Sequence, residues 1–254
     1  MTGGRLLLES DLIPYAPGFP PGRRWLLLAP HADDEVFGAG ATLALGARRG
    51  VEIRVVVVTD GGAQGNPMER EREARAAAAA LAVPEPEVWR FRDRSLNPGD
   101  PGLRARLKEA MERDEPDSVF VTSPIELHPD HRALALAVQR TVRSISGLGF
   151  SRRGPGWVAA YEVGTLLRPN LLVAADEVWE GKRRAGACYA SQIAVRPYDE
   201  FAEAQGTLRS LTLDGVRRAE AFHIERARRI ARLSARRWAG LMGVPPDTAA
   251  GRGT

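Results

Sequence analysis

Cysteine is almost missing from this sequence of 254 residues: Cys188 stands alone, which excludes an intramolecular disulfide framework and a cysteine-rich zinc module. Long apolar runs are missing too. The best stretches, Trp25 to Pro30 and Val55 to Val58, fall far short of the roughly 18 to 20 apolar residues a membrane span needs. The opening residues, MTGGRLLLES, lack the basic, then apolar, then small-residue order of a secretory signal, so a cytoplasmic location is expected. Lysine is scarce: Lys108 and Lys182 stand against 34 arginines, and the balance of 36 basic and 32 acidic side chains is only +4. Many arginines adjoin acids, as in MERERE, so the charge gives no reason to expect a nucleic-acid partner. The clearest basic excess lies between Arg217 and Arg237, where eight arginines face Glu220 and Glu225; a solvated or subunit-contacting helix face is expected there, with an anionic partner as the alternative.

What is present is the composition of an ordinary globular protein, 44% hydrophobic and 27% charged, with no linker dividing two hydrophobic halves. A Pro/Gly-rich lead over residues 1–23 precedes a strand at Arg24 to Ala29 and a periodic stretch from Phe37 to Arg49. Strand and helix then alternate: Val51 to Thr59, Met68 to Leu81, Val88 to Phe91, Leu103 to Arg113, Ser118 to Thr122 and His131 to Ile145. That order predicts a parallel sheet with helices on both faces, a Rossmann-like α/β fold. Later candidates are strands at Trp157 to Glu162 and Leu171 to Val173 and helices at Asp176 to Ser191 and Phe201 to Leu211. Arg217 to Leu241 reads as largely helical. A single domain over 24–225, followed by a helical extension and a disordered tail over 226–254, is the expected organisation.

In open parallel sheets, ligands bind beyond the carboxyl ends of the strands. The first strand ends in Pro30-His31-Ala32-Asp33-Asp34-Glu35 and the fourth in Ser123-Pro124-Ile125-Glu126-Leu127-His128-Pro129-Asp130-His131. Three of the four histidines therefore lie in two strand-end loops, which converge if the strands follow the common 3-2-1-4-5 order. Two imidazoles and one carboxylate with an open position suit a catalytic zinc, and His31, Asp34 and His131 are the natural set. Such a set also accepts iron, cobalt or manganese. Asp33 and Asp34 should face different ways, one ligating and the other holding the water that hydrolysis needs. His128 is free to donate a proton or polarise a carbonyl, and Asp130 can orient an imidazole. The bland alternative is that these polar groups only cap loops and helices. Glu35 either supports the metal site or simply begins a helix. His223 reads as a core-edge or surface histidine, Cys188 as a buried structural thiol, and the loop DGGAQGNP as a crevice wall, since no Gly-Lys-Ser/Thr follows it.

The segments LLLAPHADDEVFGAGATLA, VVVVTDGGAQGN, FRDRSL, His128-Pro129-Asp130-His131, YEVGTLLRPN and YASQ together resemble the LmbE-like or PIG-L-like deacetylases over roughly residues 24–225. Ala32 replaces the proline usual in the first motif, a position that shapes a turn and supplies no ligand. The resemblance implies a zinc-dependent N-deacetylase of an N-acetylglucosaminyl compound with one Zn2+ per chain. His31, Asp34 and His131 would bind the metal, Asp33 would be the general base, and His128 would be the acid or oxyanion stabiliser. Arg70 and Asp93 match substrate-contacting positions. A homo-oligomer, trimer or hexamer, is a further implication, and the partner expected is a small amino-sugar substrate. Three rivals remain: an amidase of a larger glucosaminyl thiol conjugate, a metal-dependent phosphoesterase and a non-catalytic Rossmann-like binding module whose site has decayed.

Overall fold

The computed structural model describes residues 16–147 and 154–243. Eight strands form one sheet: β1 (Ala16–Pro17), β2 (Arg24–Ala29), β3 (Glu52–Thr59), β4 (Glu87–Phe91), β5 (Ser118–Thr122), β6 (Trp157–Tyr161), β7 (Leu171–Ala174) and β8 (Ala219–Arg226). Their spatial order is β1-β7-β8-β6-β5-β2-β3-β4. Every pairing is parallel except those of β8, which runs antiparallel to both β6 and β7. Leu27 pairs with Val55 on one side and Phe120 on the other, so β2 and β5 are neighbours as the expected strand order requires. The α/β class and the mostly parallel sheet are as expected from the sequence.

The helices are α1 (Asp34–Arg48), α2 (Pro67–Leu81), α3 (Pro101–Asp114), α4 (Pro129–Gly147), α5 (Asp176–Ala187), α6 (Ala190–Ile193), α7 (Tyr198–Ser210), α8 (Ala227–Ile230) and α9 (Ala235–Met242). Local chemistry fixes several starts. The Asn66 side chain accepts the Met68 N–H and the Asp100 side chain the Leu103 N–H, each beside a proline whose missing N–H costs nothing in the first turn.

Strand alternation divides the core between the two faces of the sheet. Trp25, Leu27, Val55 and Val57 pack with Leu43 of α1 and Val178 of α5. Leu26, Leu28, Val56 and Val58 pack with Met111 of α3, Leu134 of α4 and Trp238 of α9. Each fully buried leucine contributes about 1.5–3 kcal/mol. Close approach sets the seat of α1: a Cβ on Gly38 would lie 2.4 Å from Tyr161 Cδ2, so glycine is needed for the helix to reach β6. Lys182 of α5 and Glu220 of β8 form a buried ion pair at 2.7 Å. Glu220 also accepts the Ala41 and Thr42 N–H groups, while Lys182 donates to the Phe37 carbonyl at 2.8 Å, which ties α1, α5 and β8 together.

Three expectations are corrected. Arg217 to Leu241 is not largely helical, because residues 219–226 form β8, inserted between β6 and β7. Its Phe222 meets Phe120 edge to face at 5.8 Å, so sheet pairing and aromatic packing override the helical appearance of the arginine-rich sequence. The helix expected over Asp176 to Ser191 is two helices, α5 and α6, parted at Cys188 and Tyr189. Cys188 is half-buried rather than buried; its Sγ donates to the Arg184 carbonyl, and burial with the nearby Glu73 charge pushes the thiol up, away from nucleophile chemistry. Of the two places expected for His223, core edge or surface, the structure has the core edge, its Nδ1 donating to the Arg168 carbonyl at 2.9 Å. Part of the Pro/Gly-rich lead, Ala16 and Pro17, pairs with β7 as an edge strand. The tail expected to be disordered, from Val244 onward, lies outside the described residues.

Candidate active site

The carboxyl ends of β2 and β5 open into one cavity of about 540 Å3, in which His31, Asp33, Asp34, His128 and His131 converge. His31 lies two residues beyond β2, Asp34 starts α1, and His131 lies in the first turn of α4, so the ends of three elements aim them at one point. His31 Nδ1 lies 3.2 Å from Asp34 Oδ2 and 3.3 Å from His131 Nε2, and His131 Nε2 lies 3.2 Å from the same Asp34 oxygen. Donors bonded at about 2.0–2.1 Å with tetrahedral angles sit about 3.3 Å apart. The triangle therefore fits a divalent cation with an open fourth position.

Electrostatics favour the same conclusion. Burial alone would lower the pKa of His131, but the Asp34 charge and hydrogen bond outweigh it and push the imidazole up to about 9. For His31, bonds to Asp130, Asp34 and Asp93 outweigh burial and raise it well above its ordinary value. Burial would raise the Asp34 carboxyl, yet the His131 and His31 charges carry it below the usual carboxylate range. The donor set thus draws added positive charge onto its two imidazoles, which is the charge a divalent metal brings.

Further groups orient these donors. His31 Nε2 faces Asp93 Oδ1 at 3.1 Å and Asp130 Oδ2 at 3.3 Å, and donating there leaves Nδ1 as the free lone pair. Asp130 also accepts the Arg94 and Leu96 N–H groups, and Asp93 accepts the Ala63 N–H. Asp93 is held down to about 2 because the His31 bond and charge outweigh its burial. Glu126, buried midway along the loop from β5 to α4, accepts N–H groups from Val163, Gly164 and Thr165 and faces His131 Nδ1 at 3.8 Å.

Asp33 stands beside the triangle. Its φ of 133° is a conformation that L residues rarely adopt, a strain of about 1–3 kcal/mol that the surroundings must hold. Two groups do so: the Asp33 N–H donates to Glu35 Oε2 at 3.0 Å, and Arg70 donates to the Ala32 carbonyl at 2.6 Å and to Asp33 Oδ2 at 3.3 Å. Burial and the adjacent Asp34 charge push the Asp33 carboxyl up to about 8. Two neighbouring aspartates are thereby driven apart in acidity by their environments. Glu35, raised to about 7 by burial against the Tyr189 bond, lies in the first turn of α1 and braces the Asp33 loop. Arg70 approaches Gly61 so closely that a Cβ there would lie 2.8 Å from Arg70 Cδ, and Gly61 has φ 64° as well.

His128, half-buried on the opposite side, accepts the Asp130 N–H through Nδ1 at 3.2 Å, which puts its own proton on Nε2. Burial and the His31 and His131 charges hold it down to about 4, a neutral imidazole near pH 7. The structure thus brings together all eight sequence-predicted residues, with Arg70 turned inward onto the Asp33 loop. Sequence reasoning gave no role to Tyr189, whose hydroxyl donates to Glu35, or to Glu126, Arg94, Arg196 and Tyr198 around the cavity. The YASQ and IELHPDH segments contain the first two and FRDRSL contains Arg94; Arg196 and Tyr198 carry no motif.

Residues 26–142 match the family model of PIG-L, described as GlcNAc-PI de-N-acetylase. This bears out the LmbE-like or PIG-L-like resemblance over the segment that carries both motifs. Among solved structures, the chain is similar to the N,N'-diacetylchitobiose deacetylase of Pyrococcus horikoshii, with 25% identity over 81% of this chain and 84% of that one and a TM-score of 0.69. It is also similar to the conserved protein TT1542 of Thermus thermophilus, with 29% identity over 78% and 93% and a TM-score of 0.69. A Pseudomonas putida protein, the 4-carboxy-2-hydroxymuconate hydratase GalB, shares the fold at 23% identity over 80% and 96%, with a TM-score of 0.66. No curated protein matches the sequence. Among the described residues, no helix is long and apolar enough to cross a membrane.

Proposed function

We propose that the chain is a zinc-dependent hydrolase that removes the acetyl group from an N-acetylated amino-sugar compound. The carrying observation is the triangle of His31 Nδ1, Asp34 Oδ2 and His131 Nε2 at 3.2–3.3 Å, flanked by Asp33 and His128 in one cavity. The PIG-L match and the chitobiose deacetylase likeness support the reaction class. His31, Asp34 and His131 hold the metal, which when bound supplies Lewis-acid polarisation of an amide carbonyl and eases deprotonation of water. Asp33, ionised beside the bound metal, takes the proton of the attacking water and passes it to the departing amine. His128 donates its Nε2–H to the carbonyl oxygen as negative charge develops, and a neutral donor does this without competing for the metal's charge. Arg70 and Glu35 keep the Asp33 backbone in its strained conformation, and Asp130 and Asp93 fix the His31 tautomer. Phe37 and Tyr198, stacked at 5.9 Å, form an apolar wall for the face of a sugar ring.

The test is release of acetate and free amine from a panel of N-acetylglucosaminyl compounds by zinc-loaded and chelated protein. Chelator-sensitive release is expected. Release of phosphate from phosphate esters instead, with two metals per chain, would replace this reading with the phosphoesterase.

A further inference from the structure

Two packed segments of the chain hold charge of one sign. Residues 131–147 and 226–243 contain nine arginines and neither aspartate nor glutamate. They include most of α4 and all of α8 and α9, and α4 clasps the turn between that pair. Arg143 donates to the Ala231 and Leu233 carbonyls at 2.7 and 2.6 Å, and Gln139 to those of Ile230 and Leu233 at 3.2 and 3.0 Å. The end of the arginine excess seen between Arg217 and Arg237 therefore lies against the arginines of α4. Carbonyl groups fix Arg143 there without neutralising it.

A second cavity, of about 270 Å3, opens on this face. Arg104 of α3 and Arg140, Arg143 and Ser144 of α4 line it, and no carboxylate does. Arg104 stands apart from the other arginines: its Nε is buried without a partner, a state shared among the described arginines only by Arg70 of the catalytic cavity. Arg140 reaches toward the loop before α3, where a Cβ on Gly99 would lie 3.4 Å from its Nη1. Guanidinium groups from two helices thus meet at one concavity. None of the large exposed apolar side chains among the described residues lies in either segment, so the face offers little to an apolar partner or a bilayer interior. It also has no exposed aromatic ring on which a base could stack.

This cavity is separate from the catalytic one. Arg140 lies nine residues beyond His131 on the same helix, about 14 Å at a rise of 1.5 Å per residue, and no residue lines both cavities. Three guanidinium charges exceed the roughly −1.5 to −2 of one phosphate monoester. Their forked donors suit the oxygens of linked phosphoryl groups. We propose that Arg104, Arg140, Arg143 and Ser144 form a second binding site, for the diphosphate group of a small phosphate-bearing molecule.

Calorimetric titration of the full chain with inorganic pyrophosphate, ADP and inorganic phosphate tests it, on both metal-loaded and chelated protein. The expected result is one pyrophosphate per chain with or without metal, inorganic phosphate bound more weakly, and affinity falling with added salt. Arg104→Gln and Arg140→Gln should each weaken pyrophosphate about tenfold. Ser144→Glu, at an exposed position, sets a carboxylate in the cavity and should abolish binding. Either ADP result upholds the site: tighter binding than pyrophosphate makes the nucleoside part of the ligand, and equal binding means that the phosphoryl groups alone are read. Binding that needs the metal, or that all three variants leave unchanged, overturns the proposal. So does sulfate bound as tightly as pyrophosphate, which would mark a diffuse patch, or a short DNA duplex bound far more tightly, which would mark a nucleic-acid surface.

Discussion

The floor and the rim of the cavity are built on opposite principles. On the floor, His31, Asp33, Asp34 and His131 are buried, and each is tied by distances of 2.9–3.3 Å to neighbouring groups. At the rim, Arg94, Arg196 and Leu127 are exposed, and only their backbones are fixed. A floor of this kind holds reacting atoms within tenths of an ångström, which catalysis needs. A rim of exposed side chains can differ from one relative to another without disturbing the chemistry, and it governs which substrates enter.

The largest expected effect is on the floor. His131→Ala should weaken metal affinity by more than about 100-fold, beyond what loss of an orienting group causes, and activity should vanish with the metal. Metal analysis after dialysis checks this, and full retention would remove His131 from the ligand set. Asp33→Ala comes next: turnover should fall by about 10²–10⁴-fold with metal content unchanged. Glu35→Gln and Tyr189→Phe test the brace behind Asp33. Each should lower kcat by about tenfold with little change in KM, since about 1–2 kcal/mol of hydrogen bonding is removed from a group that touches no substrate. A change in KM alone would contradict the bracing role. Arg94→Gln and Arg196→Gln at the rim should have the smallest effect, a change in KM between substrates with kcat unchanged in steady-state kinetics.

Metal removal sharpens the contrast through pH. In the metal-free protein the His131 pKa is raised to about 9, so its stabilising contribution is complete below the unfolded value near 6.5 and is lost as pH rises toward 9. The raised Asp33 acts in the same direction, its contribution being lost as pH rises toward about 8. The chelated protein should therefore melt at progressively lower temperature between pH 6.5 and 9, as differential scanning calorimetry would register. The metal-loaded protein should show a flatter profile. A metal-free protein that gains stability over that window would contradict the charge arrangement of the floor.

Much of the floor was legible in the sequence because its residues lie in two short motifs at strand ends whose neighbourhood the α/β alternation predicts. His31, Asp34 and His131 come together for that reason. Tyr189 was not legible: it reaches Glu35 across 154 residues, and no local pattern encodes that contact. The inward turn of Arg70 depends on the absence of a Cβ at Gly61 and on the strained Asp33 loop, both matters of three-dimensional packing. The strand β8 was hidden for a related reason. AEAFHIER lies among arginines that favour helix locally, and its conformation is decided by β6 and β7 on either side. The boundaries of β2 and β5 came out as read, since a buried parallel strand announces itself by a continuous β-branched and leucine-rich run.

The most direct test of the floor is metal content and acetate release measured on the same preparations of the wild-type chain and Asp33→Ala. The expected result is one metal per chain in both, with chelator-sensitive release from N-acetylglucosaminyl compounds in the wild type and almost none in the variant. Release that survives metal removal, or an Asp33→Ala protein of undiminished activity, would contradict it.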